Sequence, residues 1–123
     1  MFYKIEELID MQFACNDIDL DEVAKCSLGL TKAEYRVFCK YRMLKKKVTL
    51  AELSGKTGLD RTTVQKASLK LVQKGLLSRF QRNRERGGYE YLYAIEDRGK
   101  IRSKVREIVR SWWEQVDEGL KWW

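Results

Sequence analysis

The sequence contains no histidine and no proline, and only three cysteines in 123 residues. Without histidine, a zinc site built on the cysteines would need a fourth ligand from a distant carboxylate or from a second chain. The absence of proline favours long uninterrupted helices over loop-rich architectures. An odd number of cysteines, none at CxxC spacing, predicts neither a disulfide framework nor a zinc site. We therefore expect no metal and no cofactor.

The three cysteines, Cys15, Cys26 and Cys39, have two interpretations. Free cysteine is often a small buried apolar residue, and we expect these three to lie in the core. A redox-sensing thiol is the alternative, because a reactive thiolate needs cationic neighbours. Only Cys39, between Arg36 and Arg42, has such neighbours in the sequence.

Targeting signals and membrane spans are also missing. The first ten residues carry acids where a signal peptide needs positive charge followed by an apolar run. No stretch approaches the roughly 20 apolar residues of a membrane span. The hydrophobic fraction of 44% is typical of a folded chain. We expect a cytoplasmic protein of one domain, or a small domain with an added helix, and no membrane partner.

Motifs of the common enzyme classes are absent as well. The sequence has no glycine-rich phosphate loop, and no nucleophile lies at motif spacing from a base. We therefore expect a protein that is not an enzyme.

The net charge of +7 is distributed unevenly along the chain. Residues 1–30 hold seven acids and two bases, and residues 89–123 hold seven of each. Residues 31–59 and 60–88 each hold eight bases and two acids, so this 58-residue stretch carries a charge of +12. A block this basic attracts a polyanion and releases its counterions on binding, which points to nucleic acid.

The N-terminal 30 residues are predicted to be an acidic helical segment. Apolar residues at helical spacing predict a helix over 2–13. Asp19 can cap a short helix through Val23, and Gly29 ends this helix.

Two capping boxes of the type Thr-x-x-Glu follow, at 31–34 and 49–52. The first precedes a helix predicted over 32–44, and the second begins a short helix whose end is bracketed by Gly55 and Gly58. The predicted apolar face of the longer helix consists of Tyr35, Phe38, Cys39, Arg42 and Met43.

Asp60 caps a third helix, which runs to Gly75. A short helix, a glycine-containing turn and another helix in this order form a helix-turn-helix. Residues 76–83 then have strand character, and 89–95 alternate as a returning strand does. A turn at 84–88 that ends in Gly-Gly joins them. Two strands with a basic tip, directly after a helix-turn-helix, are typical of a wing.

A final helix is predicted from about Asp97 to Leu120, with an apolar stripe about 140° wide. Because the core of 31–95 is formed by residues earlier in the chain, the apolar stripe must be covered by another surface. A second copy of the chain is the favoured one. The alternative is that the stripe folds back on its own domain together with helix 2–13. The predicted dimerisation residues are Ile101, Val105, Ile108, Val109, Trp112, Trp113 and Val116.

The predicted fold class is mainly α with a small β-hairpin. A winged helix-turn-helix domain spans 31–95. It is flanked by the N-terminal segment 1–30 and the amphipathic C-terminal segment 96–123, whose helices are expected to mediate dimerisation.

Four short motifs resemble those of the archaeal TrmB-like and MarR-like transcription regulators. They are Leu-Gly-Leu-Thr-Lys-Ala-Glu at 28–34, Thr-Leu-Ala-Glu-Leu at 49–53, Asp-Arg-Thr-Thr-Val at 60–64 and Lys-Gly-Leu-Leu at 74–77. The resemblance covers about residues 28–95. It implies a DNA-binding transcription regulator, usually a homodimer whose flanking helices form the interface.

The third helix is expected to read DNA. Its predicted buried face consists of Val64, Ala67, Ser68 and Leu71. Recognition helices present their N-terminal part to base edges in the major groove. Gln65 can contact adenine, and Lys66 can reach the acceptors of guanine. The predicted contact residues on this helix are Arg61, Thr62, Thr63, Gln65, Lys66, Leu69 and Lys70.

The predicted wing, 79–88, carries four arginines, Arg79, Arg82, Arg84 and Arg86. Because side chains alternate along a strand, the four cannot all face the same way. The last three share one parity until the turn, and we expect them to bind phosphate or the minor groove. Lysines 45–47 are further candidates for backbone contact. Tyrosines 89, 91 and 93 share a parity and are expected to pack on the core.

The sequence thus predicts a regulator that binds double-stranded DNA sequence-specifically, with 60–74 in the major groove and 79–88 on the backbone or minor groove. A winged helix that binds other proteins in a transcription or chromatin assembly is the alternative, because Leu69 and Val72 fall outside the core face. RNA binding also stays open, since attraction to phosphate is common to both nucleic acids.

Overall fold

A computed structural model describes residues 18–123, which form five α-helices and one antiparallel β-hairpin. The elements are α1 Leu20–Ser27, α2 Lys32–Leu44, α3 Leu50–Thr57, α4 Arg61–Gln73, β1 Leu77–Asn83, β2 Tyr89–Ile95 and α5 Arg98–Leu120. The predicted architecture, mainly helical with a single hairpin, is confirmed. The predicted helix over 2–13 and Cys15 lie outside the described residues.

The chain divides into two compact units. Residues 30–103 form one unit, which contains α2, α3, α4, the hairpin and the first residues of α5. The described residues up to 29 and residues 104–123 belong to the other unit. That unit therefore contains α1 and most of α5.

The core of the 30–103 unit is built from all of its helices and from the hairpin. Its fully buried side chains include Val37, Tyr41, Val48, Leu53, Val64, Leu71 and Leu76. The predicted apolar face of α2 is partly wrong, because Arg42 and Met43 are exposed, whereas Val37 and Tyr41 are buried with Phe38. The face of α2 that points into the core depends on the tertiary partners of Tyr41, which lie far away in the sequence.

The two described cysteines are not core residues. Cys26 is exposed on α1, and Cys39 is half-buried on α2. The expectation that they fill the core is therefore wrong for both, since α1 buries no residue and α2 turns the neighbouring Phe38 inward instead.

Tyr41 joins α2 to α4 and to the hairpin. Its hydroxyl lies 2.7 Å from the hydroxyl of Ser68 in the middle of α4, and both side chains are buried. Its ring also packs against that of Tyr93 on β2, with 6.4 Å between the centroids. Burial raises the pKa of Tyr41 to about 12 against the opposing effect of the Ser68 hydrogen bond, with a small further increase from Tyr93. The pair satisfies two polar groups that would otherwise be costly to bury.

Most predicted helix ends are confirmed by their hydrogen bonds. Thr31 and Glu34 form the complete capping box. Thr49 accepts from the backbone N–H of Glu52, but the Glu52 carboxylate accepts from the Thr49 hydroxyl and not from its backbone. Both predicted ends of α1 are confirmed, because Asp19 accepts from the backbone N–H groups of Asp21 and Glu22, and Gly29, with a φ of 66°, directly follows the C-cap Leu28.

Gly75 directs the chain from α4 into β1. It has a φ of 74°, a conformation that favours glycine. The N–H of Leu76 donates to the carbonyl of Leu71, and the N–H of Gly75 donates to that of Val72. These two bonds form a Schellman motif, which ends α4 and leaves three residues between it and β1.

The hairpin is fixed to the helices at its base. In its register Leu77 pairs with Ile95 and Asn83 with Tyr89. Val48, in the segment between α2 and α3, exchanges two backbone hydrogen bonds of 2.8 and 3.0 Å with Tyr93. This bridge was not predicted from the sequence, because one isolated valine has no strand-like periodicity.

We expect Tyr41→Phe to lower the free energy of unfolding by about 1–2 kcal/mol, because Ser68 would lose its hydrogen-bond partner in a buried site. Ser68→Ala should have a similar effect, and the double variant should lose clearly less than the sum of the two. Urea denaturation measures all three. Tyr89→Phe, which removes the hydroxyl of an exposed tyrosine, is the matched control. If the two losses simply add, the hydroxyls are not coupled.

Candidate nucleic-acid interface

Side-chain hydrogen bonds hold the turn between α3 and α4 in place. The hydroxyl of Ser54 donates to the carbonyl of Leu59 over 2.8 Å, and the N–H of Leu59 donates to the buried hydroxyl of Thr57 over 3.2 Å. Gly58 lies between them with a φ of 74°. Sequence reasoning found the glycine but missed Ser54 and Thr57, although hydroxyl residues beside a turn glycine are a usable signal.

Asp60 is the N-cap of α4, as predicted. Its carboxylate accepts from the backbone N–H of Thr63 over 2.6 Å. This backbone bond, followed by one from the Thr63 hydroxyl, holds the pKa of Asp60 below its ordinary value. The cap defines where α4 starts and therefore which side chains occupy its first two turns.

The predicted buried face of α4 is confirmed. Val64, Ala67, Ser68 and Leu71 are all buried. Of the predicted contact residues, Thr63 is half-buried and the other six are exposed, namely Arg61, Thr62, Gln65, Lys66, Leu69 and Lys70. Leu69 is 38% exposed, whereas Val72 is only half-buried. The exposed surface of α4 is therefore polar and basic, with one leucine in it.

The four arginines of the hairpin lie in different places, as the alternation of a strand requires. Arg79 lies on the same face as Tyr91, and its guanidinium is 4.4 Å from the centre of that ring. Arg82 lies on the opposite face, directly across from Glu90. Arg84 and Arg86 belong to the exposed turn between the strands. The structure thus brings Arg82 and Arg84 together and separates them from Arg79.

Glu90 is the side chain that unites Arg82 and Arg84. Nε of Arg82 donates to Oε1 of Glu90 over 2.8 Å, and its Nη2 donates to the same oxygen. Nη2 of Arg84 lies 3.6 Å from Oε2. The hydrogen bond from Arg82, more than the charges of both arginines, holds the pKa of Glu90 below its ordinary range. Sequence reasoning missed Glu90, although counting back from the turn places it opposite Arg82.

The hairpin tyrosines are only partly core residues. Tyr93 is buried as expected, but Tyr91 is half-buried and Tyr89 is exposed. The two outer rings pack edge to face, with 5.4 Å between their centroids. The expectation of core packing is wrong for Tyr89, because the strands extend beyond the helices that cover their base.

Lysines 45–47 have separate structural positions. Lys45 caps α2 in a left-handed conformation, with a φ of 56°. The ammonium of Lys47 lies 4.1 Å from the centre of the Phe80 ring on β1. Lys46 is exposed. The three are therefore not a uniform basic patch.

The residues predicted for dimerisation differ in exposure. Ile101 is 8% exposed and belongs to the core of the 30–103 unit, and Val105 is half-buried. Beyond them α5 exposes Ile108, Val109, Trp112, Trp113 and Val116. The exposed stripe therefore starts later along the helix than the sequence indicated.

Residues 18–123 contain neither a metal-binding cluster nor a membrane-spanning helix. This part of the chain holds no group of three or more histidine, cysteine or acidic side chains arranged to bind a metal ion. No helix among these residues is both long and apolar enough to span a membrane.

Comparison with known proteins gives a family and related chains. Residues 19–116 match the DnaD N-terminal domain family. The uncharacterised protein MJ1082 of Methanocaldococcus jannaschii is 30% identical over 102 residues, which is 82% of each chain.

Solved structures include one close in both sequence and fold. A possible transcriptional regulator from Methanosarcina mazei Go1 is 36% identical, with a TM-score of 0.79 over 92% of this chain and 95% of that one. A transcription regulator of the MarR family shares the fold at 19% identity, with a TM-score of 0.52 over 81% of this chain and 65% of its own. The winged-helix fold is confirmed by these neighbours. The matching family is the DnaD N-terminal domain and not TrmB, so the TrmB-like part of the resemblance is not confirmed.

Asp60 should make stability depend on pH in the acidic range. Because the pKa of Asp60 is lowered by folding, its contribution is present above the pKa of the unfolded chain. That contribution is lost as the pH falls through the lower pKa of the folded chain. Asp60→Asn retains a capping oxygen but does not titrate. We expect the variant to lose less of its urea midpoint than the parent between neutral and acidic pH. Equal losses in the two proteins would contradict a role for the Asp60 charge.

Proposed function

The chain belongs to the DnaD N-terminal domain family, and from this premise we propose that it is a transcription regulator that binds double-stranded DNA sequence-specifically. The relative from Methanosarcina mazei, named a possible transcriptional regulator, matches nearly the whole chain and supports the regulatory role. The specificity is inferred from the side chains of α4.

The observation that carries the proposal is the uniform charge of the exposed surface of α4 and β1. The sequence holds no acidic residue between Asp60 and Glu85, and the 24 residues between them include seven bases. Arg61, Lys66 and Lys70 are exposed on a helix of the type that enters the major groove. Binding of a DNA duplex to such a surface is favourable because the cations condensed on the DNA are released.

The roles of the two elements follow from their chemistry. Gln65 and Lys66 combine donors and acceptors near the start of α4, where base edges can be read. Thr62 and Leu69 offer methyl groups for thymine, and Arg61, Thr63 and Lys70 lie beside them. The wing arginines are positively charged and offer only hydrogen-bond donors, with no acceptor. This chemistry suits contacts to phosphate or to a narrow minor groove. In this proposal α4 selects the sequence and the hairpin binds the backbone.

A protein-interaction role is the second candidate, and one observation favours it. Leu69 is exposed in the middle of the proposed recognition surface, where an apolar partner could cover it. The basic residues around it favour DNA instead, because apolar interface centres are depleted of charge.

The test starts by selecting duplexes from a random DNA pool and measuring affinity by fluorescence anisotropy against salt concentration. We expect the Gln65→Ala/Lys66→Ala variant to lose preference for the selected sequence over a scrambled one. Arg86→Ala should weaken binding to both duplexes equally and reduce the salt slope by about 1, because it removes one phosphate contact. Glu85→Gln, adjacent in the turn, controls for changes in the hairpin itself.

Three outcomes would contradict the proposal. They are a salt-independent affinity, a loss of specificity from Arg86→Ala alone, and equal or tighter binding to single-stranded or double-stranded RNA of the same sequence. Capture of DNA with no preference for any sequence would leave only non-specific binding.

We further propose that the exposed stripe of α5 is the interface of a homodimer. Soluble chains rarely expose so many contiguous large apolar side chains, and Trp113 is 65% exposed. The charges flanking the stripe are divided along the helix. Residues 98–110 hold six bases and one acid, whereas 111–120 hold three acids and no base. Two copies of α5 packed antiparallel about a twofold axis would place each basic half beside an acidic half.

Trp112→Lys should shift the chain from dimer to monomer, since it places a charge in the middle of that stripe. We expect the dimer dissociation constant to rise more than tenfold, measured by size-exclusion chromatography with light scattering. Ser103→Lys adds the same charge on the opposite side of α5 and should leave the dimer intact. A parent protein that stays monomeric at all concentrations would overturn the dimer without affecting the DNA-binding proposal.

A further inference from the structure

The two arginines nearest the hairpin turn share one carboxylate. Arg82 binds Oε1 of Glu90 through two nitrogens, and Nη2 of Arg84 lies 3.6 Å from Oε2. Each oxygen of Glu90 therefore has a guanidinium partner, by hydrogen bonds at Oε1 and at ion-pair distance at Oε2. The cross-strand register fixes the arrangement, because Arg82 and Glu90 are direct partners.

The arginines face solvent more than the carboxylate does. The side chains of Arg82 and Arg84 are 57% and 60% exposed, against 22% for Glu90. Glu90 is therefore less exposed than either of the two arginine side chains with which it pairs. The hydrogen bond from Arg82 holds the pKa of Glu90 below its ordinary value, so the carboxylate stays ionised to a lower pH than a free glutamate does. Exposed ion pairs of this kind add little to stability, so their main effect is on where the arginines are held.

A guanidinium binds carboxylate and phosphate oxygens with the same planar set of donors. The carboxylate of Glu90 pairs with two guanidinium groups at once. It therefore occupies the position that an anionic oxygen of a phosphate would take. We propose that Arg82 and Arg84 form a single binding site for one DNA phosphate, and that Glu90 occupies this site in the free protein. The inference rests on the proposed function, because it names the ligand of the same hairpin.

Two properties follow from one shared site. An arriving phosphate must displace Glu90 from at least one guanidinium, so Glu90 weakens binding to every duplex. Since phosphate contacts carry no sequence information, it weakens specific and scrambled duplexes by the same factor. Because the two arginines bind one phosphate, they release the counterions of one phosphate and not of two. Their joint contribution to the salt slope is therefore that of a single phosphate contact.

Glu90→Gln removes the competing charge but keeps the shape of the side chain. We expect it to raise affinity for selected and scrambled duplexes alike by about two- to fivefold, the range expected from an exposed ion pair. Glu85→Gln, in the turn of the same hairpin, makes the same change in net charge and is the matched control. Within residues 18–123 the side chain of Glu85 forms no hydrogen bond or ion pair, so its effect should be clearly smaller. Equal effects of the two substitutions would overturn the role of Glu90.

The arginine pair gives a second test. The double variant Arg82→Ala/Arg84→Ala should reduce the salt slope by about 1, whereas two independent phosphate contacts would reduce it by about 2. Circular dichroism and thermal unfolding of each variant establish that the hairpin is still folded. A reduction of about 2 would show separate contacts and overturn the shared site.

A probe without DNA separates this inference from the proposed function. Inorganic phosphate, titrated into the full chain, should shift the NMR signals of the Nε–H groups of Arg82 and Arg84 together. The shift should occur at lower concentration in Glu90→Gln than in the parent or in Glu85→Gln. If phosphate moves both signals but no variant binds any duplex, the site stands and the DNA-binding proposal fails. If phosphate moves neither signal in Glu90→Gln, the shared site is wrong.

Discussion

The buried contact between Tyr41 and Ser68 joins α2 to the buried face of α4, and both candidate surfaces depend on how that face is oriented. It directs one side of α4 into the core, which leaves Arg61, Gln65 and Lys66 on the other side. The ring of Tyr41 also packs on Tyr93, the residue through which β2 is hydrogen-bonded to Val48. A single aromatic residue therefore connects the helix proposed to read bases with the hairpin proposed to bind the backbone. Because both hydroxyls are satisfied, this polar contact is compatible with an otherwise apolar core.

Local chemistry then places each functional side chain within that frame. Asp60 fixes the first turn of α4, and the hydroxyls of Ser54 and Thr57 fix the turn before it. At the other end of the unit, a guanidinium nitrogen of Arg98 donates to the carbonyl of Arg42 over 2.7 Å. That bond satisfies an acceptor near the C-terminus of α2, where positive charge is favoured. The start of α5 is thereby attached to the 30–103 unit.

The sequence predicted what depends on neighbours along the chain. Caps at Thr31 and Asp60, the glycine at 75 and the alternation of 89–95 are local signals, and the structure confirms each of them. The face of α2 was misjudged because it depends on Ser68, 27 residues away. The bridge from Val48 to Tyr93 and the bond from Arg98 to Arg42 also join distant residues, and neither has a signature in the sequence. Glu90 was within reach, since a turn of known length fixes the register of a hairpin.

The short connection between α4 and the hairpin has a mechanical consequence. Only Lys74, Gly75 and Leu76 separate the last residue of α4 from the first of β1, and the Schellman hydrogen bonds occupy these three. The connection contains no flexible linker. The exposed surface of α4 and the hairpin are therefore held at a fixed distance from each other. A ligand that touches both must match that distance or be deformed to it. For a duplex, the elastic energy of bending or twisting the DNA to fit this distance would itself vary with base sequence.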